Sequence, residues 1–199
     1  MRIGPTAAAL TLGLAITGSA HATVFVVDAM ANSSTGGVGL PSLAVTDGEQ
    51  FTVTSSTDDL WSAGDLPRFA DGDGLVMNRF ATAIDDSGEP VGTLIETALV
   101  PWVENGLSAP FASLVGEING VYRELGANFS GPAWGTGTLN LYFWDQNNFD
   151  NSGTIAFDVS PASGGVPEPA AWAMMILGFG LAGALLRARP RTAEAAATA

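Results

Sequence analysis

The middle of this 199-residue chain predicts an all-β fold, a jelly-roll-like β-sandwich. Three observations carry the prediction. Short segments alternate apolar and polar residues with the two-residue period of a half-buried strand. Gly, Pro, Asn and Asp gather between those segments, as tight turns require. No stretch before Pro167 sustains a helical period over a useful length.

The first strand is expected over 24–27, a Val-rich run closed by Asp28. The next lies over 50–55, with Phe51 and Val53 on one face. Strands at 114–118 and 121–125 flank Asn119-Gly120, a dipeptide that favours a type I′ hairpin turn. Over 138–144, Leu139, Leu141 and Phe143 face one way and Thr138, Asn140 and Tyr142 the other. Over 153–159, Ile155, Phe157 and Val159 share a side. There is no internal repeat.

The two ends read differently. Arg2, an apolar run over 7–16 and Ser19-Ala20-His21-Ala22 make residues 1–22 a secretory signal peptide, with Thr23 the expected first residue after cleavage. At the far end a short flexible linker, 161–165, leads to Val166, Pro167, Glu168 and Pro169. An uncharged apolar run over 170–186 follows, then Arg187, Arg189 and Arg191. About 17 apolar residues is the lower edge for a bilayer-spanning helix. Arginines directly after it mark the cytoplasmic side. A buried core helix would instead need a polar stripe, and this run has none. Residues 192–199 read as a disordered tail.

Between residues 23 and 165 there is no Cys, Lys or His. Disulfides, His–Cys zinc sites, Ser-His-Asp triads and Lys Schiff bases are thereby excluded from that segment. Eighteen Asp and Glu stand against Arg68, Arg79 and Arg123, a net charge of about −15. Such a surface repels nucleic acid; it suits an extracellular protein or one that binds divalent cations through oxygen.

The densest oxygen source is the loop before the last strand, Asp145-Gln146-Asn147-Asn148-Phe149-Asp150-Asn151-Ser152-Gly153. Calcium takes six to eight carboxylate, amide and carbonyl oxygens. An ordinary polar hairpin is the other reading, since Asn and Asp favour turns. Phe149 and Asp150 rule out an EF-hand register. Asp71-Gly72-Asp73-Gly74 reads as tight turns or as a second cation loop. Trp61, Trp102, Trp134 and Trp144 read as core residues or as sugar-stacking platforms, and Trp144 is the best candidate for the second, because it adjoins the loop and points away from the Leu141 face. Carboxylate pairs such as Asp58–Asp59, Asp85–Asp86 and Glu117–Glu124 are the one route left to an enzyme, a glycosidase. A binding module rather than an enzyme is expected.

Val166-Pro167-Glu168-Pro169, then Trp172-Ala173-Met174-Met175, Gly178-Phe179-Gly180 and the arginines, resemble the PEP-CTERM sorting signal, also labelled an ice-binding protein C-terminal domain. The resemblance implies that an exosortase membrane enzyme holds the helix and cuts near Pro167-Glu168-Pro169. It also implies company with exopolysaccharide, and nothing about ice.

The alternating strand at Phe51 with Trp61-Ser62-Ala63-Gly64 after it, the stretches 111–118 and 137–142, and the closing Asp145…Asp150-Asn151-Ser152-Gly153 resemble calcium-dependent galactophilic bacterial lectins. The resemblance implies calcium held by Asp145, Asp150 and Asn151, by a carbonyl of Asn147 or Asn148, and by a carbonyl near Ala63 or Gly64. It implies that Asp145 and Asp150 also touch sugar. The family's sugar-gripping His and Gln have no counterpart over 66–78. The expectation is an exported protein, anchored transiently in the membrane and then placed at the cell surface or outside. There it binds an extracellular polysaccharide or glycan with the help of calcium. A structural surface or matrix protein without a small-ligand site is the alternative.

Overall fold

Inward-facing apolar residues at every second position build two antiparallel sheets in the computed structural model, which describes residues 22–162 and 169–187. The two stretches belong to separate compact units. Residues 1–21 of the expected leader, the linker from 163, Val166, Pro167, Glu168, Arg189, Arg191 and the tail over 192–199 lie outside the described residues.

The strands begin with β1 (Thr23–Asp28), β2 (Leu40–Val45) and β3 (Gln50–Thr54). Three two-residue strands follow, β4 (Trp61–Ser62), β5 (Phe69–Ala70) and β6 (Arg79–Phe80), and then β7 (Leu94–Glu96). β8 (Trp102–Glu104) and β9 (Leu107–Ala109) form a hairpin. The chain continues through β10 (Leu114–Ile118), β11 (Val121–Glu124), β12 (Asn128–Pro132), β13 (Gly137–Phe143) and β14 (Ser152–Pro161). The larger sheet runs β12-β3-β14-β4-β5, with β1 also on β14; the second runs β11-β10-β13-β2, and β6-β7 and β8-β9 are separate two-stranded pairs. β1 follows β14 from Thr154 to Val159, while β4 and β3 share its other edge.

Between the sheets lies the main core. Phe51, Val53, Ile155, Phe157 and Val159 come from one side, and Leu114, Ile118, Leu139, Leu141 and Phe143 from the other. Trp61 sits among them, edge-on to Phe143 at 4.8 Å, and its indole N–H donates to the Ala112 carbonyl at 2.8 Å. Full burial of each such side chain stabilises by roughly 1.5–3 kcal/mol. The alternation expected on β3, β13 and β14 is therefore the alternation observed. So is the Asn119-Gly120 turn, with φ of 52° and 80°. Asn105-Gly106 repeats that geometry between β8 and β9, with φ of 48° and 81°.

The outer face of the second sheet is also covered. Trp144, Val115 and Ala109 pack there with Trp102, Leu107, Tyr122 and Tyr142. A third feature pins the irregular middle of the chain. Glu96, fully buried, accepts the backbone N–H groups of Val76 and Met77 at 3.0 Å and pairs with Arg79 Nε at 3.2 Å. Arg79 also pairs with buried Asp71. The 71–74 stretch is turns: Asp71 accepts the Asp73 N–H and Asp73 accepts the Ala127 N–H.

Helix α1 (Pro169–Arg187) opens on a proline, which suits the first helical position, and carries Arg187 in its last turn. Met174, Met175, Ile176, Leu177 and Phe179 are exposed on it. Among the described residues no helix is long and apolar enough to cross a membrane.

Candidate functional site

The loop between β13 and β14 is where most of the expected ligands meet, and its position follows from the strands. β13 delivers Asp145 two residues after Phe143 enters the core, and β14 takes up Asn151 one residue before it begins. Both are buried, at 3% and 1% exposure. The loop is stitched to the 29–38 segment, which sequence reasoning left unassigned. Asp145 N–H donates to Ser34 Oγ at 3.1 Å, and Ser34 Oγ–H donates to the Asp145 carbonyl at 3.0 Å. Ser33 Oγ donates to the Asn147 carbonyl, and Asn148 Nδ2 donates to the carbonyls of Gly36 and Met30.

Inside this frame three side-chain oxygens are buried without a hydrogen-bond partner: Asp145 Oδ2, Asn147 Oδ1 and Asn151 Oδ1. Asn151 cannot turn its amide nitrogen toward Asp145 without loss. That nitrogen already donates to the carbonyls of Ala29 at 3.2 Å and Asn147 at 3.0 Å. Each of the three oxygens is thus a buried acceptor that no donor fully satisfies. Such acceptors are costly in a protein interior unless something positive joins them.

Burial pushes the Asp145 carboxyl up to about 6, and the nearby Asp150 charge adds to the rise. The Gln146 N–H, Asn151 and the Arg68 charge pull the other way. Asp150 itself is exposed and lies against Gly64. Among the described residues no three Asp, Glu, His or Cys side chains gather as a metal cluster. A cation here would depend on amide and carbonyl oxygens as well as carboxylates, which is calcium's habit rather than zinc's.

Of the expected ligands, Asp145, Asn147 and Asn151 each carry a buried side-chain oxygen without a partner. Asn147 does so by its side chain, because its carbonyl already accepts Ser33 and Asn151. Asn148 sends its amide toward Gly36 and Met30 instead. The Ala63 carbonyl accepts Arg68 Nη1 at a long 3.4 Å. Gly64 has a φ of 120°, and a Cβ there would lie 2.8 Å from Asp150 Oδ2. Gly64→Ala is therefore expected to cost about 1–2 kcal/mol of stability and to displace Asp150. Thermal melts and calcium titration of that variant check both effects.

Trp144 requires a correction. It does point away from the Leu141 face, but the β8–β9 hairpin covers it, leaving 0% exposed, and its N–H donates to the Trp102 carbonyl at 3.1 Å. It cannot stack on a sugar. The aromatic ring that is open at this loop is Phe149, 78% exposed. In the sequence Phe149 stood out only as a break in the EF-hand register. A groove of about 500 Å³ adjoins the loop, lined by Met30, Ala31, Val38, Asn148 and Asn151 among others.

In each acid pair open to a glycosidase at least one carboxylate accepts hydrogen bonds. Glu117 accepts the Gly120 N–H and the Asn140 amide, Asp85 accepts Thr82 and Ser87, Asp86 accepts the Leu60 N–H and Asp59 accepts the Ala156 N–H.

The family model of the PEP-CTERM protein-sorting motif matches residues 165–189. That motif implies export and processing by an exosortase, a membrane enzyme. No curated protein matches the chain. Among solved structures, an EclA N-terminal domain described as a PllA-like lectin is similar at 21% identity with a TM-score of 0.43, covering 71% of this chain and 98% of that one.

Proposed function

We propose that the domain over 23–160 binds calcium in the 145–151 loop and uses it to hold carbohydrate outside the inner membrane. The observation that carries this reading is the set of buried, unpartnered oxygens of Asp145, Asn147 and Asn151. A divalent cation would join all three and draw in the Asp150 carboxylate from the rim. Calcium accepts more ligands than these, so adjacent sugar hydroxyls can complete its shell. Phe149 offers an exposed ring face beside it. In the same proposal the C-terminal sorting segment holds the chain transiently at the membrane before processing. The exosortase cuts near Pro167-Glu168-Pro169, which leaves the domain at the surface or in the exopolysaccharide.

A second reading keeps the cation and drops the sugar. The many bonds from the 29–38 segment to this loop favour it, because a cation there would also serve to lock two loops together. Glycan-array binding of the chain in mild detergent, first with calcium and then with chelator, separates the two. Calcium-dependent capture of a related group of glycans is expected. Binding to none, together with a calcium-raised melting temperature, would establish the purely structural role. At a calcium concentration of 100 times Kd the stabilisation is about 2.7 kcal/mol.

A further inference from the structure

Five strands form the edges of the two sheets, and four of them carry a feature that discourages further pairing. β2 contains Pro41, β12 ends on Gly131-Pro132, β11 exposes Arg123 and Glu124, and β5 is two residues long. β1 has none of these. It runs from Thr23 to Val27 without a charge, a proline or a glycine, and no bulge interrupts its pairing with β14. In a domain whose net charge is about −15, this edge is free of charge.

The hydrogen bonds show which backbone groups the edge presents. Antiparallel partners alternate between pairs that exchange hydrogen bonds and pairs that do not. Asp28, opposite Thr154, gives its N–H to Asn32 Oδ1 at 2.8 Å, and its carbonyl accepts the Asn32 N–H at 2.9 Å. Asp28–Thr154 is thus a non-bonded pair, and by alternation so are Val26–Ala156 and Val24–Asp158. Ala156 agrees, since its N–H donates to Asp59 Oδ2 at 2.9 Å rather than to β1. Val24 and Val26 therefore turn their N–H and C=O groups outward, where no backbone group among the described residues takes them up. Their side chains are exposed as well, at 59% and 56%.

We infer that β1 is the joint of a homodimer, in which two copies pair their first strands antiparallel about a twofold at Phe25. Asp28 takes no part, because Asn32 already occupies its N–H and its carbonyl. The register that uses both outward residues sets Val24 opposite Val26 of the second copy, and the reverse. Each such pair exchanges both hydrogen bonds and brings two exposed valines together on one face. On the other face the half-buried Phe25 meets its own equivalent across the joint. A second copy fits because the edge is its own complement: uncharged, β-rich and symmetric about Phe25 in Val24-Phe25-Val26. Charge favours the same occupant. The expected cleavage after Ala22 puts a new α-amino group on Thr23, beside Asp28 of the second copy, whereas two such acidic domains repel over most of their surface.

The test uses the full chain with its leader removed, in mild detergent. Light scattering on a sizing column should give twice the mass of one chain at micromolar concentration. Val26→Lys, at an exposed position, should weaken the dimer roughly 100-fold and leave the far-UV circular dichroism unchanged, because the twofold removes the valine contact twice. Val24→Lys, on the same face, should do the same. Register is read with cysteines, since the chain has none of its own. Val24→Cys mixed with Val26→Cys should form a disulfide-linked dimer on mild oxidation. Val24→Cys alone should form one far more slowly, because its two Cα atoms stand beyond the about 7 Å that a disulfide spans. A monomer at every concentration up to about 100 µM, a dimer that both lysine variants leave intact, or equally fast crosslinking of Val24→Cys with itself would each overturn the inference. None of these outcomes bears on calcium or glycan binding.

Discussion

Asp145→Asn is expected to abolish calcium binding while leaving the metal-free domain at least as stable as before. The variant keeps the side-chain shape and removes the one buried charge among the three acceptors, whose Oδ2 has no partner. Loss of a charged ligand should weaken calcium by at least about 100-fold, on the order of 3 kcal/mol. Isothermal titration reads this directly, and an unchanged affinity would place the cation elsewhere.

The same substitution predicts a change with pH. Asp145 titrates at about 6 in the fold and near 3.9 when unfolded. Between those values the folded state holds more proton, so the stability contributed by this group falls as pH rises. It is greatest below about pH 4 and is lost by about pH 6 to 7, a total of roughly 3 kcal/mol at most. The other carboxylates add slopes of their own, so the comparison is between wild type and Asp145→Asn, both in chelator. Urea unfolding from pH 4 to 7.5 should show the steeper decline in the wild type. Identical pH profiles would mean that Asp145 is not the titrating group.

Arg79→Met carries the other large effect. Its guanidinium is the countercharge for two buried carboxylates, Asp71 and Glu96, at 3% and 0% exposure, and it also donates to the Thr57 carbonyl at 2.7 Å. Removing it strands both acids and should cost about 3–5 kcal/mol, a large share of a typical 5–15 kcal/mol of total stability. Adding Glu96→Gln should recover part of the loss, because the two sites are coupled. The backbone N–H groups of Val76 and Met77 still find an acceptor in the amide. Equilibrium urea unfolding of the two single variants and the double variant gives the coupling. Additive losses would show that the pair does not act as one unit.

Much of the sandwich was legible because its central strands write their burial into every second residue. Leu139, Leu141 and Phe143, like Ile155, Phe157 and Val159, can bury one face only if they alternate. β2 and β12 were not legible: Leu40-Pro41-Ser42-Leu43 and Asn128-Phe129-Ser130-Gly131 lack a clean period, and neighbours far along the chain hold them in place. The loop's acceptors were readable from composition. Its frame was not, since Ser33 and Ser34 meet it across more than 110 residues. Trp144 shows the same limit from the other side. Alternation gave its direction correctly, but the hairpin that covers it begins 42 residues earlier.

The last strand also decides when this domain can exist at all. β14 is the final strand of the sandwich, yet it lies inside its sheet, joining β1, β3 and β4 at once. The first strand made has no strand neighbour among the described residues until the last one arrives. The sheet that β14 joins cannot be completed from an N-terminal portion of the chain, because β1 and the β3–β12 pair meet only through that last strand. Contacts of such long sequence separation place folding in the millisecond-to-second range rather than the microsecond one. In an exported chain of this design, that sheet closes only once the last residues of the domain are available.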